Sequence, residues 1–180
     1  MFEQALIDSA QRLKDASSRD LLESFAVIGA LAVARWARVR ASGDIDYVIS
    51  LGNAEAEELS SYLGGKFRAG DIRDPLAGAI SFHEGSGKRS VPIQLLLFPP
   101  AWERVALAEV QNISIAGHGI PFADWKALVL LKLYAGSALD LEDAREILTQ
   151  ANPAKTDREY LKTKATALRI SRRLARIIED

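Results

Sequence analysis

The spacing of apolar and polar residues along the chain predicts alternating helices and strands. Apolar side chains recur at near-helical intervals from Phe2 to Leu13, which indicates an amphipathic helix over residues 2–16. Short apolar runs that end at glycine or proline indicate buried strands. The predicted strands are 25–28, 44–51, two within 77–98 joined by a hairpin, and a weaker one at 109–117; the further helices are 30–39, 53–63, 124–136, 140–150 and 156–180.

This order of elements predicts an α+β fold in which a sheet core is closed by a C-terminal helical cluster. We expect one compact unit, with the core over residues 1–120 and the helical part over 121–180. Asn53 is a candidate N-cap for its helix, and Thr156 with Glu159 matches a capping box at the start of the last one.

Composition narrows the possible chemistry. The chain has no cysteine and two histidines, which excludes disulfides, thiol-based zinc sites and histidine-rich metal sites. A hard cation bound by carboxylates remains possible. With a net charge of −1 the chain has no global basic field, so contact with nucleic acid requires a local patch. No apolar stretch approaches the roughly 20 residues of a membrane helix, and we expect a cytoplasmic protein without a membrane partner.

Two aspartates, Asp44 and Asp46, stand at the beginning of the apolar run DIDYVISL. Acid-x-acid spacing is weak evidence by itself, because three other such pairs occur in segments predicted to be helical. In a strand, residues i and i+2 point to the same face, so these two carboxylates could converge on one divalent cation. The alternative is a turn at Gly43 and Asp44 with Asp46 exposed at a strand edge, and these residues alone leave both interpretations open.

The segment before the aspartates adds a second element of a site. The strand FAVI is followed by Gly29 and by a helix that opens at Ala30. A helix N-terminus offers unbonded backbone N–H groups and the positive end of the helix dipole to an anion. A phosphate cradle followed by a carboxylate pair indicates a nucleoside triphosphate site.

FAVIGALAVARWARVRASGDIDYVISL resembles the core of the polymerase-β-type nucleotidyltransferase superfamily. Its pattern is a strand, Gly-Gly or Gly-Ser, a helix, and Asp-x-Asp on the next strand. The resemblance implies a nucleotidyltransferase-like mixed sheet, with Asp44 and Asp46 as ligands of Mg²⁺ and Gly29 at the phosphates of a nucleoside triphosphate. WKALVLLKLYAGSALDLEDAREIL resembles a later segment of the minimal and abortive-infection-like bacterial members, where Lys132, Asp140 and Asp143 match.

Two positions depart from the superfamily pattern. Ala30 stands where Gly or Ser is usual, so a hydroxyl contact to phosphate is lost while backbone donors remain. Gln94, within VPIQLLLF, stands where the resemblance implies a third carboxylate, which helps to hold the metal that activates the attacking hydroxyl. An amide cannot act as a base at pH 7.

These departures leave two hypotheses about function. The first is a protein that binds Mg²⁺ and a nucleoside triphosphate and transfers a nucleotidyl group to an RNA, protein or small-molecule hydroxyl. The second is a catalytically degenerate descendant that acts as a regulatory or partner-binding protein, as in a toxin–antitoxin pair.

Lys132 can be interpreted without the resemblance. It lies in WKALVLLKLYAG, a helix that is apolar nearly all round and is therefore predicted to be buried. A buried ammonium needs an anionic partner. That partner is Asp140 or Asp143 just downstream, which is the structural interpretation, or a nucleotide phosphate, which is the functional one.

Two sets of basic residues complete the candidates. Arg35, Arg38 and Arg40 could neutralise a triphosphate or form a solvated helix face. The last predicted helix carries a local basic surface that either meets RNA or keeps this end of the chain soluble. Its basic residues are Lys162, Lys164, Arg169, Arg172, Arg173 and Arg176, and its acidic neighbours are Glu159, Glu179 and Asp180.

Overall fold

A computed structural model describes residues 2–38, 42–71, 75–87 and 90–178, and over these ranges the chain forms seven strands and eight helices. The strands are β1 (Ser24–Ile28), β2 (Ile45–Ser50), β3 (Lys66–Ala69), β4 (Gly78–Glu84), β5 (Val91–Leu97), β6 (Val110–Ile115) and β7 (His118–Ala123). The helices are α1 (Phe2–Ser17), α2 (Gly29–Trp36), α3 (Ala56–Tyr62), α4 (Pro100–Ala106), α5 (Trp125–Ala135), α6 (Ala138–Ala151), α7 (Lys155–Ala167) and α8 (Ser171–Ile178). The predicted α+β class is confirmed.

All seven strands belong to one mixed sheet, in the order β3-β4-β5-β2-β1-β7-β6. The central strand β2 pairs antiparallel with β1 and parallel with β5. β7 lies parallel to β1 on the other side, and β6 is an outer strand that pairs antiparallel with β7. Because β2 lies between two partners, its backbone position is fixed from both sides.

The two faces of β2 serve different purposes. Tyr47 is fully buried and its hydroxyl lies 2.8 Å from Ser9 Oγ on α1, so this face joins the sheet to α1. Successive residues of a strand point to opposite faces, so Asp46 lies on the face away from α1. That second face packs against α2 and α4, and α5 packs in turn against both of these helices. The hydrophobic core therefore fixes which face carries the carboxylate.

Two strands were not predicted from the sequence. β7 contains Gly119 and Pro121, which usually interrupt strands, and β3 is a short outer strand with little buried surface. β7 nevertheless forms the parallel neighbour of β1 and runs to Ala123.

The prediction of one helix over 156–180 is wrong. The chain forms α7 and α8, separated at Leu168–Ile170, where Arg169 adopts a left-handed φ of 60°. The predicted capping box at Thr156 is also wrong, because α7 begins at Lys155 and it is Asp157 that accepts a hydrogen bond from Ala154 N.

The predicted N-cap at Asn53 is wrong as well. Helix α3 begins at Ala56, and Glu55 takes the N-cap position without a side-chain hydrogen bond. The second predicted helix starts one residue earlier than expected, at Gly29, and ends at Trp36. In the part of the chain that the structure describes, no helix has both the length and the apolar character needed to cross a membrane.

Candidate active site

Asp46 and Gln94 lie side by side on adjacent strands. In the parallel ladder between β2 and β5, Asp46 pairs with Gln94, and in the antiparallel ladder with β1 it pairs with Ile28. Side chains at paired positions point to the same face of a sheet. The apolar residues that alternate with these two, such as Ile45 and Ile93, are fully buried and hold both strands in register.

Asp44 joins this pair from the turn that precedes β2. Gln94 Nε2 donates a hydrogen bond to Asp44 Oδ2 at 3.2 Å. The Ser42 hydroxyl lies 2.9 Å from the carbonyl oxygen of Asp44 and 3.1 Å from its Oδ1, and can donate to either. The structure therefore combines parts of the two interpretations, because Asp44 lies in a turn while Asp46 is half-buried on a central strand, not at an edge.

Gly29 lies in contact with Asp46 at the first position of α2. Its φ of 66° is in the left-handed region, and a Cβ at this position would collide with Asp46 Oδ2. Glycine is therefore required on two grounds, backbone conformation and space. No side chain among the described residues caps this end of α2, so the first N–H groups, including that of Ala30, can still donate.

The electrostatics of Asp46 reflect an unbalanced negative charge. Burial, followed by the like charge of Asp44, raises the pKa of Asp46 to about 6, and the positive charge of Lys132 opposes this shift. A cation placed between the two carboxylates would favour their ionised forms.

Lys132 is held by two carboxylates of the following helix. Its Nζ lies 2.8 Å from Asp140 Oδ1 and 2.8 Å from Asp143 Oδ2, and its side chain is 13% exposed. Asp143 is 1% exposed. The structure therefore contains the partners of the structural interpretation. An ammonium group has three N–H donors, and these two contacts use two of them.

Asp140 is fixed by more than Lys132. Ser137 is the N-cap of α6, and its hydroxyl lies 2.6 Å from Asp140 Oδ2. Burial alone would raise the pKa of Asp140, but hydrogen bonds from Lys132 and Ser137 bring that pKa below its usual range. Asp140 is the N3 residue of α6, three positions after the N-cap Ser137, and Asp143 is buried further along the same helix.

A small cavity joins these groups into one site. It has a volume of 140 Å³, and Gly29, Asp46, Lys132 and Asp140 contribute to its wall. The rest of the wall is apolar and comes from α5 and the neighbouring strands, through Ile28, Leu96, Phe98, Leu128, Leu131 and Ala135.

The donor set fits one hard divalent cation. Asp44 and Asp46 supply carboxylate oxygens, and Mg²⁺ is commonly held by one or two carboxylates together with substrate phosphates and water. The raised pKa of Asp46 is consistent with a site that lacks a balancing charge. No group of three or more His, Cys, Asp or Glu residues that could hold a metal occurs within the described ranges.

The described arginine candidates have contacts of their own within the fold. Arg35 lies over the ring of Trp36, and Arg38 pairs with Glu142 and Glu146 on α6. Arg40 lies outside the described residues.

Of three comparisons with known proteins, one gives matches, and these concern the fold. No protein-family model matches the chain, and no curated protein sequence matches it. Solved structures do match. A nucleotidyltransferase-like antigenic protein from Paracoccidioides brasiliensis is 15% identical, with a TM-score of 0.56, and the alignment covers 98% of each chain. A crystal structure of ANT(2'')-Ia in complex with adenylyl-2''-tobramycin is 14% identical, with a TM-score of 0.53, over 90% of this chain and 98% of that one.

The chain has a nucleotidyltransferase fold. A solution structure of the antibiotic-resistance factor ANT(2'')-Ia agrees, with 13% identity and a TM-score of 0.51 over 96% of this chain and 95% of that one. At these identities the likeness concerns the fold, and the chemistry of this nucleotidyltransferase-fold protein has to be argued from its own residues.

Sequence reasoning missed two residues that shape the site. Ser42 hydrogen-bonds Asp44, and Ser137 orients Asp140. Serine two residues before an aspartate in a turn, and serine three residues before an aspartate at a helix start, are both recognisable local patterns. They could have been found in SGD at 42–44 and SALD at 137–140.

Proposed function

We propose that this protein binds a nucleoside triphosphate with Mg²⁺ and transfers its nucleotidyl group to a hydroxyl acceptor. The observation that carries the proposal is the position of the Asp46 carboxylate, which feels the like charge of Asp44, against the uncapped start of α2 at Gly29. A cation site and an anion site in contact match the two parts of a magnesium-bound triphosphate. The fold it shares with nucleotidyltransferases supports the same conclusion.

Each group has a distinct task in this proposal. Asp44 and Asp46 would hold Mg²⁺, which supplies Lewis-acid stabilisation of the phosphates when bound. The backbone N–H groups of Gly29 and Ala30 donate to phosphate oxygens. Lys132 lines the cavity that Asp46 also lines, and its positive charge would face the phosphates there. The acceptor oxygen forms a bond to the α-phosphorus, and the bond from that phosphorus to pyrophosphate breaks.

The proton of the acceptor hydroxyl has to be removed without help from position 94. Gln94 donates to Asp44 and cannot take up a proton at pH 7. Its contribution is to orient Asp44.

The test measures Mg²⁺-dependent pyrophosphate release with a panel of RNA, protein and small-molecule acceptors, among them an aminoglycoside such as the tobramycin of the ANT(2'')-Ia complex. We expect Asp44→Asn to abolish release. Glu57→Gln is the matched control, because Glu57 belongs to an acid-x-acid pair on an exposed face of α3. Equal rates for the Asp44 variant and the unsubstituted protein would contradict the proposal.

Gln94 favours a second function, that of a regulatory or partner-binding protein of toxin–antitoxin type with a degenerate site. In that case the protein binds a magnesium nucleotide, measurable by calorimetry, and releases no pyrophosphate. Gln94→Asp restores a third carboxylate at the strand position paired with Asp46. Turnover that appears only in this variant would identify the degenerate form. Turnover in the unsubstituted protein would exclude it. Either function belongs in the cytoplasm, where nucleoside triphosphates are available.

A further inference from the structure

The helix that carries Lys132 ends in a short turn that another helix holds from outside. Helix α5 ends at Ala135 and α6 begins at Ala138, so two residues connect them. The last four carbonyl groups of an α-helix have no partner within the helix. In α5 these carbonyl groups belong to residues 132–135, and the partners that they find elsewhere decide how firmly the turn is held.

Arg173 supplies the partner of two of these carbonyl groups. It lies on α8, and its Nη1 donates to the carbonyl oxygens of Leu133 and Tyr134, both at 2.6 Å. A third carbonyl, that of Lys132, accepts a hydrogen bond from the N–H of Gly136 at 2.9 Å. The guanidinium also brings a positive charge to the negative end of the α5 dipole. One side chain of the last helix therefore supports the end of α5.

Gly136 leaves room for this contact. It takes the C-cap position of α5 with a φ of 74°, a left-handed conformation that glycine adopts at little cost. A Cβ at this position would lie 2.5 Å from Arg173 Nη1 and 2.9 Å from its Cζ. Glycine at residue 136 therefore serves both the turn and the close approach of Arg173.

The contact between Arg173 and α5 is additional to the packing that holds α8 in place. Helix α8 packs against α6 and α7, and its apolar side is covered, with Leu174 2% exposed and Ile177 6% exposed. Arg173 itself is exposed, and within the described residues no carboxylate lies at ion-pair distance from it. We therefore expect α8 to remain docked when the guanidinium is removed.

The turn that Arg173 supports sets the position of Lys132. Ser137, the second residue of the turn, is the N-cap of α6, and its hydroxyl lies 2.6 Å from Asp140 Oδ2. Asp140 Oδ1 lies 2.8 Å from Lys132 Nζ. Lys132 and Asp140 thus meet across the turn, one from each helix, and both line the cavity beside Asp46. A change in the angle between α5 and α6 would move both side chains.

The last turn of α5 is also part of the cavity wall. Leu131, Lys132 and Ala135 line the cavity beside Asp46, whereas Arg173 is not among the lining residues. The same helical turn therefore contacts the cavity through its side chains and α8 through its carbonyl groups. Removal of the guanidinium would loosen this wall without removing any group that faces the ligand.

We propose that Arg173 is a positioning residue of the nucleotide site: through the end of α5 it holds Lys132 where the phosphates of a magnesium-bound nucleoside triphosphate bind. Arg173 touches neither the phosphates nor the cation, and its effect on affinity passes through the turn between α5 and α6. This inference rests on the proposed function for the identity of the ligand. It adds the last helix of the chain, far in sequence from Gly29 and Asp46, to the structure on which nucleotide binding depends.

The test measures the affinity of the protein for Mg²⁺ complexes of non-hydrolysable ATP, GTP, CTP and UTP analogues by calorimetry. For the analogue that binds best, we expect Arg173→Ala to weaken the affinity about 10-fold, because residues that act through packed neighbours change binding equilibria by roughly this factor. Arg172→Ala is the matched control, because Arg172 is an exposed arginine of the same helix, and it should bind as the unsubstituted protein does. Circular dichroism establishes that each variant is folded during the titration.

Two further measurements separate positioning from a purely structural role. Arg173→Lys keeps a cation with N–H donors at the end of α5, so it should recover part of the lost affinity. By linkage, a nucleotide whose binding depends on the contact between α8 and α5 also stabilises that contact. The nucleotide should therefore slow amide hydrogen exchange in α8 of the unsubstituted protein, and Arg173→Ala should lose this protection. A general loss of stability would produce neither result.

The inference and the proposed function fail in different ways. Equal nucleotide affinity in Arg173→Ala and the unsubstituted protein would overturn the inference and leave the proposed function intact. So would an affinity loss as large in Arg173→Lys as in Arg173→Ala, or hydrogen exchange in α8 that the nucleotide does not change. This last measurement decides the matter on the unsubstituted protein even when Arg173→Ala is unfolded. An unsubstituted protein that binds none of the analogues would contradict the proposed function, and the inference with it.

Discussion

Two groups of charged residues meet at the same cavity and are balanced in opposite ways. Asp44 and Asp46 are like charges, and the hydrogen bonds that Asp44 accepts from side chains come from neutral groups, Gln94 and Ser42. Lys132 is a cation enclosed by Asp140 and Asp143. The first group gains free energy when a cation binds, whereas the second already contains its counter-ions.

This difference indicates that the aspartate pair is a binding site and that the Lys132 group is structural. The Lys132 group joins α5 to α6 and is largely satisfied within the fold. Holding two like charges close together lowers the stability of the folded protein. Proteins retain such a loss of stability where function requires it. Removing a carboxylate charge should therefore lower the free energy of unfolding in the Lys132 group and raise it in the aspartate pair.

The largest effect is expected from Asp143→Ala. This variant leaves a buried ammonium with one carboxylate in place of two, and removing one partner of a buried ion pair costs about 3 kcal/mol. Urea denaturation measures the loss. Glu142→Ala is the matched control on the same helix, because Glu142 pairs with Arg38 on the surface, where an ion pair contributes less than about 1 kcal/mol. Similar losses in the two variants would show that Lys132 does not depend on Asp143.

Asp46→Asn should have an effect of the opposite sign that is no larger. The pKa of Asp46 is raised to about 6, above its unfolded value of 3.8, so the folded state takes up a proton first as the pH falls. The unsubstituted protein should therefore gain stability between about pH 6 and pH 4, relative to the variant. Above pH 6 the ionised carboxylate costs up to about 3 kcal/mol, which the variant recovers.

Denaturation curves of both proteins between pH 4 and pH 7, without Mg²⁺, measure this difference. A variant that is less stable at pH 7, with an unchanged pH dependence, would mean that Asp46 carries no unbalanced charge.

The smallest effect is expected from Ser137→Ala. Loss of this N-cap should cost about 1 kcal/mol and leave Asp140 held by Lys132 and by the backbone N–H of residue 137. Thermal unfolding followed by circular dichroism measures the change. Ser61→Ala is the control, because the exposed Ser61 hydroxyl bonds only a carbonyl of its own helix. An unchanged midpoint for Ser137→Ala would show that the Ser137 hydroxyl does not stabilise the start of α6.

The sequence predicted which charged residues form this site better than it predicted which strands bring them together. A helix apolar on nearly every side requires partners for Lys132, and both predicted partners are in contact with it. By contrast, the pairing of Asp46 with Gln94 depends on the order of strands that are distant in the chain, and periodicity carries no information about that order. β7 was missed because Gly119 and Pro121 are tolerated there only through its tertiary pairing. The break at Arg169 was missed because a non-glycine residue takes the left-handed conformation.

The position of β2 in the middle of the sheet has a kinetic consequence. Amide protons of a strand paired on both sides exchange with solvent only when the sheet opens, whereas those of a preceding turn exchange through local fluctuations. Asp46 lies on the strand and Asp44 in the turn. The candidate cation site thus spans the boundary between slowly and rapidly opening backbone, so that one carboxylate stays fixed while the other can adjust to what binds.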